Sequence, residues 1–265
     1  MRARQVGLVT ALLVAAGVSG ATSAGAAAGP PNDEIANATR IPGLPYDDAT
    51  DLSGAAADDP DDPAPCFPAH HTVWYRFTPA VTRDVAADSF GSDIDTTLAV
   101  FTGPPATPSL VACNDDTNTS QSRVVFRGRA GVRYWIRLGS YYAGFAGPAV
   151  LHVRGLPPPL RLTVAVRSTG TVTAAGRAAV GGSVTCSAPT PVTVVGSLRQ
   201  GRAVGYYRAD VACSGRAGWT ARTAGETAGF RPGDARAAVT ALAVDAGRDQ
   251  LVRVRTERGV RLARG

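Results

Sequence analysis

Two acidic groups and a pair of tyrosines are the residues of this chain best suited to contact a ligand. Asp93 and Asp95 stand two apart in Ser92-Asp93-Ile94-Asp95-Thr96-Thr97. In an extended chain that spacing puts both carboxylates on one face, with Cα atoms about 6.5–7 Å apart. Asp115 and Asp116 follow Asn114, and Tyr141, Tyr142 and Phe145 share a Gly-rich stretch. Clustered carboxylates accept hydrogen bonds from hydroxyls or hold a cation, and aromatic rings offer faces to sugars or to a protein partner. A glycosidase also uses two carboxyls, about 5–9.5 Å apart, but needs a groove and two unlike environments around them. An Asp-x-Asp at a strand entry more often caps a turn. Asp93, Asp95, Asp115, Asp116, Tyr141 and Tyr142 are therefore candidate ligand-binding residues, and no catalytic residue is assigned.

Other chemistry finds little support. The histidines are His70, His71 and His152. Adjacent His70 and His71 on a strand point to opposite faces and make a poor chelating pair. There is no His-Glu-x-x-His and no Gly-x-Ser-x-Gly, and a chain without lysine has no Walker loop.

The elements that must position these residues read as strands. Val73, Tyr75 and Phe77 alternate with Trp74 and Arg76, and Tyr134, Ile136 and Leu138 alternate with Arg133, Trp135 and Arg137. A period of two sets one series inward and the other toward solvent or a second layer. Short apolar runs bounded by Gly, Pro, Asn, Asp or Ser predict a first strand at 35–41, then strands near 72–78, 83–89, 95–102, 108–113, 122–127, 132–139 and 148–154. The intervening 46–65 carries Asp47, Asp48, Asp51, Asp58, Asp59, Asp61 and Asp62 with Pro60, Pro63 and Pro65. It reads as a long acidic loop, because proline is excluded from central strands. Gly155-Leu156-Pro157-Pro158-Pro159 is a semi-rigid spacer. Beyond it, strands are predicted near 160–167, 170–174, 178–186, 191–198, 203–212, 217–222, 236–244 and 250–256. At 235–245 the alternative is an alanine-rich helix, but Val239, Thr240 and Val244 favour a strand. The fold class is all-β, with two β-sandwich domains at 29–154 and 160–265: jelly-roll or Greek-key first, Ig-like second.

The N-terminus reads as an export signal. Arg2 and Arg4 precede an apolar run from Val6 to Val18, and small residues continue to Ala28. That run is too short to cross a hydrocarbon layer of about 30 Å, so residues 1–28 are expected to be a cleaved signal peptide and no transmembrane segment is predicted. The expected location is extracellular, with association to the cell wall an option, and nucleic acid is not an expected partner. Export makes disulfides of the four cysteines. The spacer favours pairing inside each half, Cys66 with Cys113 and Cys186 with Cys213, each stabilising by roughly 3.5–4 kcal/mol. Charge divides unevenly: 29–155 carries 15 acidic and 9 basic residues, and 156–265 carries 6 acidic and 16 basic, every basic residue being arginine. Such halves can dock on each other, or the basic half can lean on an anionic surface. The arginines at 253, 255, 258, 261 and 264 read as a solvated strand face, or as a contact for phosphate-rich wall polymer.

Several of these motifs, in this order, resemble the bacterial pre-peptidase C-terminal domain family. The carriers are Asn32-Asp33, Val73-Trp74-Tyr75-Arg76-Phe77, Asp93 through Gly103, Asn114-Asp115-Asp116, and the pair of runs from Arg123 to Gly139. The resemblance implies a β-sandwich that assists secreted enzymes or attaches them to polysaccharide or protein. Here no catalytic domain precedes the module, so binding is the implied role. Some members bind calcium through an acidic-Pro-Asn-Asp segment and a later acidic loop. The matching residues are Asn32 and Asp33, with Asp59 and Asp61 as the other half of a candidate calcium site, although Gly29-Pro30-Pro31 replaces the leading acidic residue. Residues 160–245 also resemble an uncharacterised Ig-like family of secreted bacterial proteins, through Cys186, Arg199-Gln200-Gly201, Cys213-Ser214-Gly215, Trp219 and Phe230-Arg231-Pro232-Gly233. That resemblance implies no activity. The expected function is extracellular, non-catalytic recognition of a polysaccharide, wall polymer or protein. The alternatives are a secreted hydrolase with a carboxylate pair and a structural envelope protein.

Overall fold

The computed structural model describes residues 29–57, 63, 66–117 and 119–265. The expected signal peptide, Asp59 and Asp61 lie outside the described residues. What is described is almost entirely strand, in two sandwiches.

The first sandwich has nine strands: β1 (Thr39–Ile41), β2 (Tyr46–Asp51), β3 (His70–Phe77), β4 (Arg83–Asp88), β5 (Thr96–Thr102), β6 (Ser109–Asn114), β7 (Arg123–Gly128), β8 (Tyr134–Ser140) and β9 (Pro148–Gly155). One sheet runs β1-β3-β8-β5-β6 and the other β2-β9-β4-β7. The antiparallel pairs are nested, β2 with β9, β3 with β8, β4 with β7 and β5 with β6. Successive strands from β2 to β5 change sheet each time, which is a jelly roll. Alternating residues fill the space between the sheets: Val73, Tyr75 and Phe77 from β3, Leu98 and Val100 from β5, Ile136 and Leu138 from β8, Leu151 and Val153 from β9.

Two expectations for this half are corrected. Ile35–Asn37 is a single 3-10 turn, and only Thr39–Ile41 is strand, paired in parallel with β3. The start of the expected acidic loop, Tyr46–Asp51, is strand β2. Its aspartates sit on an edge strand: Asp47 faces out, beside His152 and Arg154, and Asp48 accepts the Tyr75 hydroxyl at 2.8 Å. An edge tolerates charge that a central strand does not.

Trp74 and Trp135 are buried on the far side of the β3-β8-β5 sheet, in a second small core with Ala38, Ala99 and Phe101. The 3-10 turn closes over this layer through Ile35, and the Arg137 guanidinium lies 5.9 Å from the Trp74 ring. Asn32 fastens the cover: its side-chain amide donates to the Trp74 carbonyl at 2.9 Å, and its own carbonyl accepts from the Trp74 N–H at 2.8 Å. Cys66 is bonded to Cys113.

The second sandwich comprises β10 (Leu162–Val166), β11 (Thr169–Val172), β12 (Ala178–Cys186), β13 (Thr190–Gln200), β14 (Ala203–Cys213), β15 (Arg216–Arg222), β16 (Gly233–Asp245) and β17 (Gln250–Arg264). The eight strands form one hydrogen-bonded sheet folded on itself: β10, β12 and β15 make one wing, β11, β17, β16, β13 and β14 the other, and a short β11–β12 pairing joins them. The chain switches wings between β10, antiparallel to β12, and β11, parallel to β17. The result is an Ig-like sandwich. Residues 235–245 are strand, and β17 extends to Arg264. Trp219 and Tyr207 stack in the core with ring centroids 5.8 Å apart, and Cys186 is bonded to Cys213.

The sandwiches meet at the spacer. Arg248, in the turn between β16 and β17, pairs with Asp84 of β4 and Asp245, and donates to the Pro157 carbonyl at 2.9 Å. Arg123 donates to the Gly247 carbonyl. The unequal charges of the two halves thus meet in a joint within the chain.

Candidate functional site

The candidate ligand-binding residues collect at one end of the jelly roll. Asp95 ends the turn between β4 and β5, Asp115 and Asp116 open the β6–β7 loop, and Tyr141 and Tyr142 lie in the β8–β9 loop. The Tyr141 N–H donates to the Asp95 carbonyl at 3.0 Å, which ties the aromatic loop to the acidic one. Asp93 is exposed on the same turn, its N–H donating to the Pro148 carbonyl at 3.1 Å. Residues 93–95 lie in a bend ahead of β5 rather than in the strand.

A buried hydroxyl cluster holds this end rigid. The Ser89 and Thr96 hydroxyls are 2.6 Å apart, and the Ser122 hydroxyl, with one proton to donate, lies 2.6 Å from the Thr96 carbonyl and 2.8 Å from the Asp115 carbonyl. The Ser122 N–H donates to the Ser89 hydroxyl at 2.8 Å. The β4–β5 turn, the start of β5 and the β6–β7 loop are thereby joined with little exposed polar surface. The Asn114 side chain serves its own turn, accepting from the Thr117 hydroxyl at 2.7 Å and the Arg123 N–H at 3.0 Å. Sequence reading missed Ser89 and Ser122, because isolated serines in turns carry no periodic signal.

The aromatic loop is braced from the other side. The Ser140 hydroxyl bonds to the Tyr142 and Phe145 carbonyls, and His71 has one ring nitrogen 2.9 Å from the Ala55 carbonyl and the other 2.8 Å from the Ala143 carbonyl. Tyr141 and Tyr142 meet edge to face at 4.9 Å. With the backbone fixed, Tyr142 and Phe145 still project, 56% and 66% exposed. Large apolar side chains held out by a braced loop make a contact surface.

Asp95 is electrostatically uncomfortable. One of its carboxylate oxygens is buried without a hydrogen-bond partner. Burial, and then the charges of Asp116 and Asp115, hold its pKa above the ordinary carboxylate value. Asp47, by contrast, is held low by its bonds to Arg154 and His152.

Asn32 and Asp33 are structural braces. Both Asp33 oxygens lie 3.2 Å from the Ala56 N–H, and the Asn32 amide is used on Trp74. Among the described residues no three His, Cys, Asp or Glu side chains converge on a cation position. Asp59 and Asp61, the other half of the expected calcium set, lie outside the described residues. Among the described residues no helix is long and apolar enough to cross a membrane.

No protein-family model and no characterised protein matches the sequence. Solved structures that overlay on it include a β-glucuronidase of Parabacteroides merdae, at 10% identity and TM-score 0.26, covering 71% of this chain and 27% of that one. An exo-chitosanase of Amycolatopsis orientalis overlays at 14% identity and TM-score 0.23, covering 71% and 25%. A β-D-mannosidase of Dictyoglomus thermophilum does so at 11% and 0.24, covering 71% and 29%. The chain thus spans between a quarter and a third of the length of each. At these TM-scores the functional reading rests on this chain's own residues.

Proposed function

We propose that the chain is an exported, non-catalytic binding protein whose first sandwich recognises an extracellular polysaccharide. The observation that carries this reading is the joining of an exposed aromatic loop to a carboxylate cluster in which one Asp95 oxygen has no partner. Sugar rings present apolar faces to Tyr142 and Phe145, and their hydroxyls donate to carboxylates such as Asp95, Asp115 and Asp116. The resemblance of residues 30–154 to pre-peptidase C-terminal domains supports the same role, and the two disulfides suit an oxidising location outside the cell.

Replacing Tyr142 and Phe145 together with alanine should weaken binding to insoluble polysaccharide at least tenfold, read in a sedimentation assay on a panel of wall and plant polymers. The melting temperature should stay within a few degrees, because both rings are already in solvent. Wild-type protein that sediments with none of the panel would remove the reading.

Asp95→Asn separates a ligand contact from a structural turn. The folded pKa of Asp95 lies above its unfolded value, so its ionised form is penalised by folding. That penalty is absent below the unfolded pKa near 3.9, grows as pH rises through the folded pKa, and is complete above it. The variant should therefore be more stable than wild type at pH 7 by about 1 kcal/mol, with the gap closing toward pH ~4. It should also bind polysaccharide less tightly. A variant destabilised at pH 7 would show that Asp95 serves the fold instead.

A further inference from the structure

The second sandwich carries a polar cleft of about 580 Å³ at the point where the chain switches wings. It is lined by Ala165 to Thr169, Gly182, Ser183, Gly218 and three arginines, Arg167, Arg216 and Arg258, with no carboxylate among its walls. The arginines come from three separate strands or junctions: the β10–β11 switch, the start of β15 and the middle of β17.

Arg258 is the least expected. Along β17 the residues that face the core are Val252, Val254, Val260 and Leu262, and Arg258 falls on the same phase, opposite the fully buried Ala237. Arg253, Arg255 and Arg261 occupy the other phase, whereas Arg258 is exposed on the phase that carries Val254 and Val260 and so stands over the wing switch rather than on the outer strand face. The Arg258 guanidinium donates to the Val166 carbonyl at 3.3 Å on the wall of the cleft. Across the cleft the Arg216 guanidinium reaches the Ser183 hydroxyl at 3.4 Å. Both bonds are long, and each engages one of five guanidinium N–H groups. The Arg167 side chain has no partner among the described residues, and neither it, Arg216 nor Arg258 forms an ion pair there. Glycines shape the space: a Cβ at Gly181 would come within 3.4 Å of the Arg167 guanidinium carbon, and one at Gly182 would collide with the Ala165 carbonyl.

We infer that this cleft binds a tetrahedral oxyanion, a phosphate or sulfate group carried on an extracellular polyanionic polymer. Three arginines lining one cleft with spare donors, beside Ser168, Thr169 and Ser183 and with no carboxylate in the lining, match the several acceptor oxygens of such a group. A single carboxylate would leave much of this donor set unused. The site belongs to the second sandwich and is independent of polysaccharide recognition by the first.

The test is titration of the whole protein with inorganic phosphate and with sulfate, followed by NMR or calorimetry. Poly(glycerol phosphate) and dextran sulfate are then compared to tell the two polymer sources apart. Free oxyanions should bind saturably in the millimolar range, and one polymer should bind at least tenfold more tightly through repeated engagement. Arg167→Ala with Arg216→Ala should lower affinity tenfold or more. Arg253→Ala with Arg255→Ala removes the same charge outside the cleft and should change it less than twofold. Arg258→Met is a third variant, and its folding is checked by its melting curve. Equal losses from the cleft pair and the control pair would reduce the effect to a diffuse basic surface. No saturable binding of any of the four probes would overturn the site.

Discussion

Trp74→Ala should lower the stability of the first sandwich by about 4 kcal/mol, the range for emptying a buried aromatic site. The residue is on the outward phase of β3, where alternation alone would leave it in water, yet it is fully buried. The layer over it is thin: the 35–37 turn, Phe101 with its ring centroid 5.7 Å away, and the Arg137 guanidinium. Removing the indole opens a void that this cover cannot collapse into, because Asn32 pins the cover to β3 through both the N–H and the carbonyl of Trp74. It also strips an aromatic face from Arg137, a cation that is itself 3% exposed. The melting temperature should fall by roughly 15 °C for a unit of this size. Trp74→Phe keeps part of the ring contact and should cost less than half as much. A Trp74→Ala melting point within 3 °C of wild type would mean that the second core contributes little.

The strands of both sandwiches were legible because their alternation is regular and their turns carry Gly, Pro, Asn and Asp. The β5 and β8 runs each agree with the sequence reading to within two residues. β2 was not legible: Tyr46-Asp47-Asp48-Ala49-Thr50-Asp51 has no apolar alternation, since an edge strand at a sheet margin can face acids to solvent, to Arg154 and to a buried tyrosine hydroxyl. The expected strand over 35–41 failed for a related reason. Its apolar residues cover the outer Trp layer from a 3-10 turn, and three residues suffice to pair with β3. The site was half legible. Residue type picked out Asp95, Asp115, Asp116, Tyr141 and Tyr142, and the fold gathers them, but the hydroxyls of Ser89, Thr96 and Ser122 that join their loops are too common in type to announce themselves. Of the three arginines lining the cleft, only Arg258 belonged to the series read from the sequence; Arg167 and Arg216 come to it from other strands. Register was needed to show that Arg258 differs from its neighbours.

Arg248→Met should uncouple the two sandwiches. Arg248 and Asp245 have side chains 8% exposed, and Asp84 is 18% exposed. Taking the cation away leaves two carboxylates facing a closed joint. Removing one member of a fully buried pair costs about 3–5 kcal/mol, and because this joint can open to water the expected loss is about 2 kcal/mol. That is enough to replace one cooperative calorimetric transition with two and to expose residues 155–160 to proteases, while each sandwich keeps its own disulfide and core. Arg248, then Arg127, hold the Asp84 pKa below the ordinary carboxylate value. The sign follows: the Asp84 contribution is complete above its unfolded pKa near 3.9 and is lost as pH falls through the lower folded value. The wild-type joint should therefore loosen below pH ~4, seen as a larger radius of gyration in X-ray scattering, and Arg248→Met should already be open at pH 7. Salt separates this local contact from a general attraction between an acidic and a basic half. In 1 M NaCl the screening length is about 3 Å, so exposed charges cease to attract across the gap while a buried pair in contact does not. Compactness that survives 1 M salt in the wild type, and is missing in Arg248→Met at low salt, would assign the joint to Arg248. A wild-type joint that opens in salt alone would assign it to the overall charge imbalance.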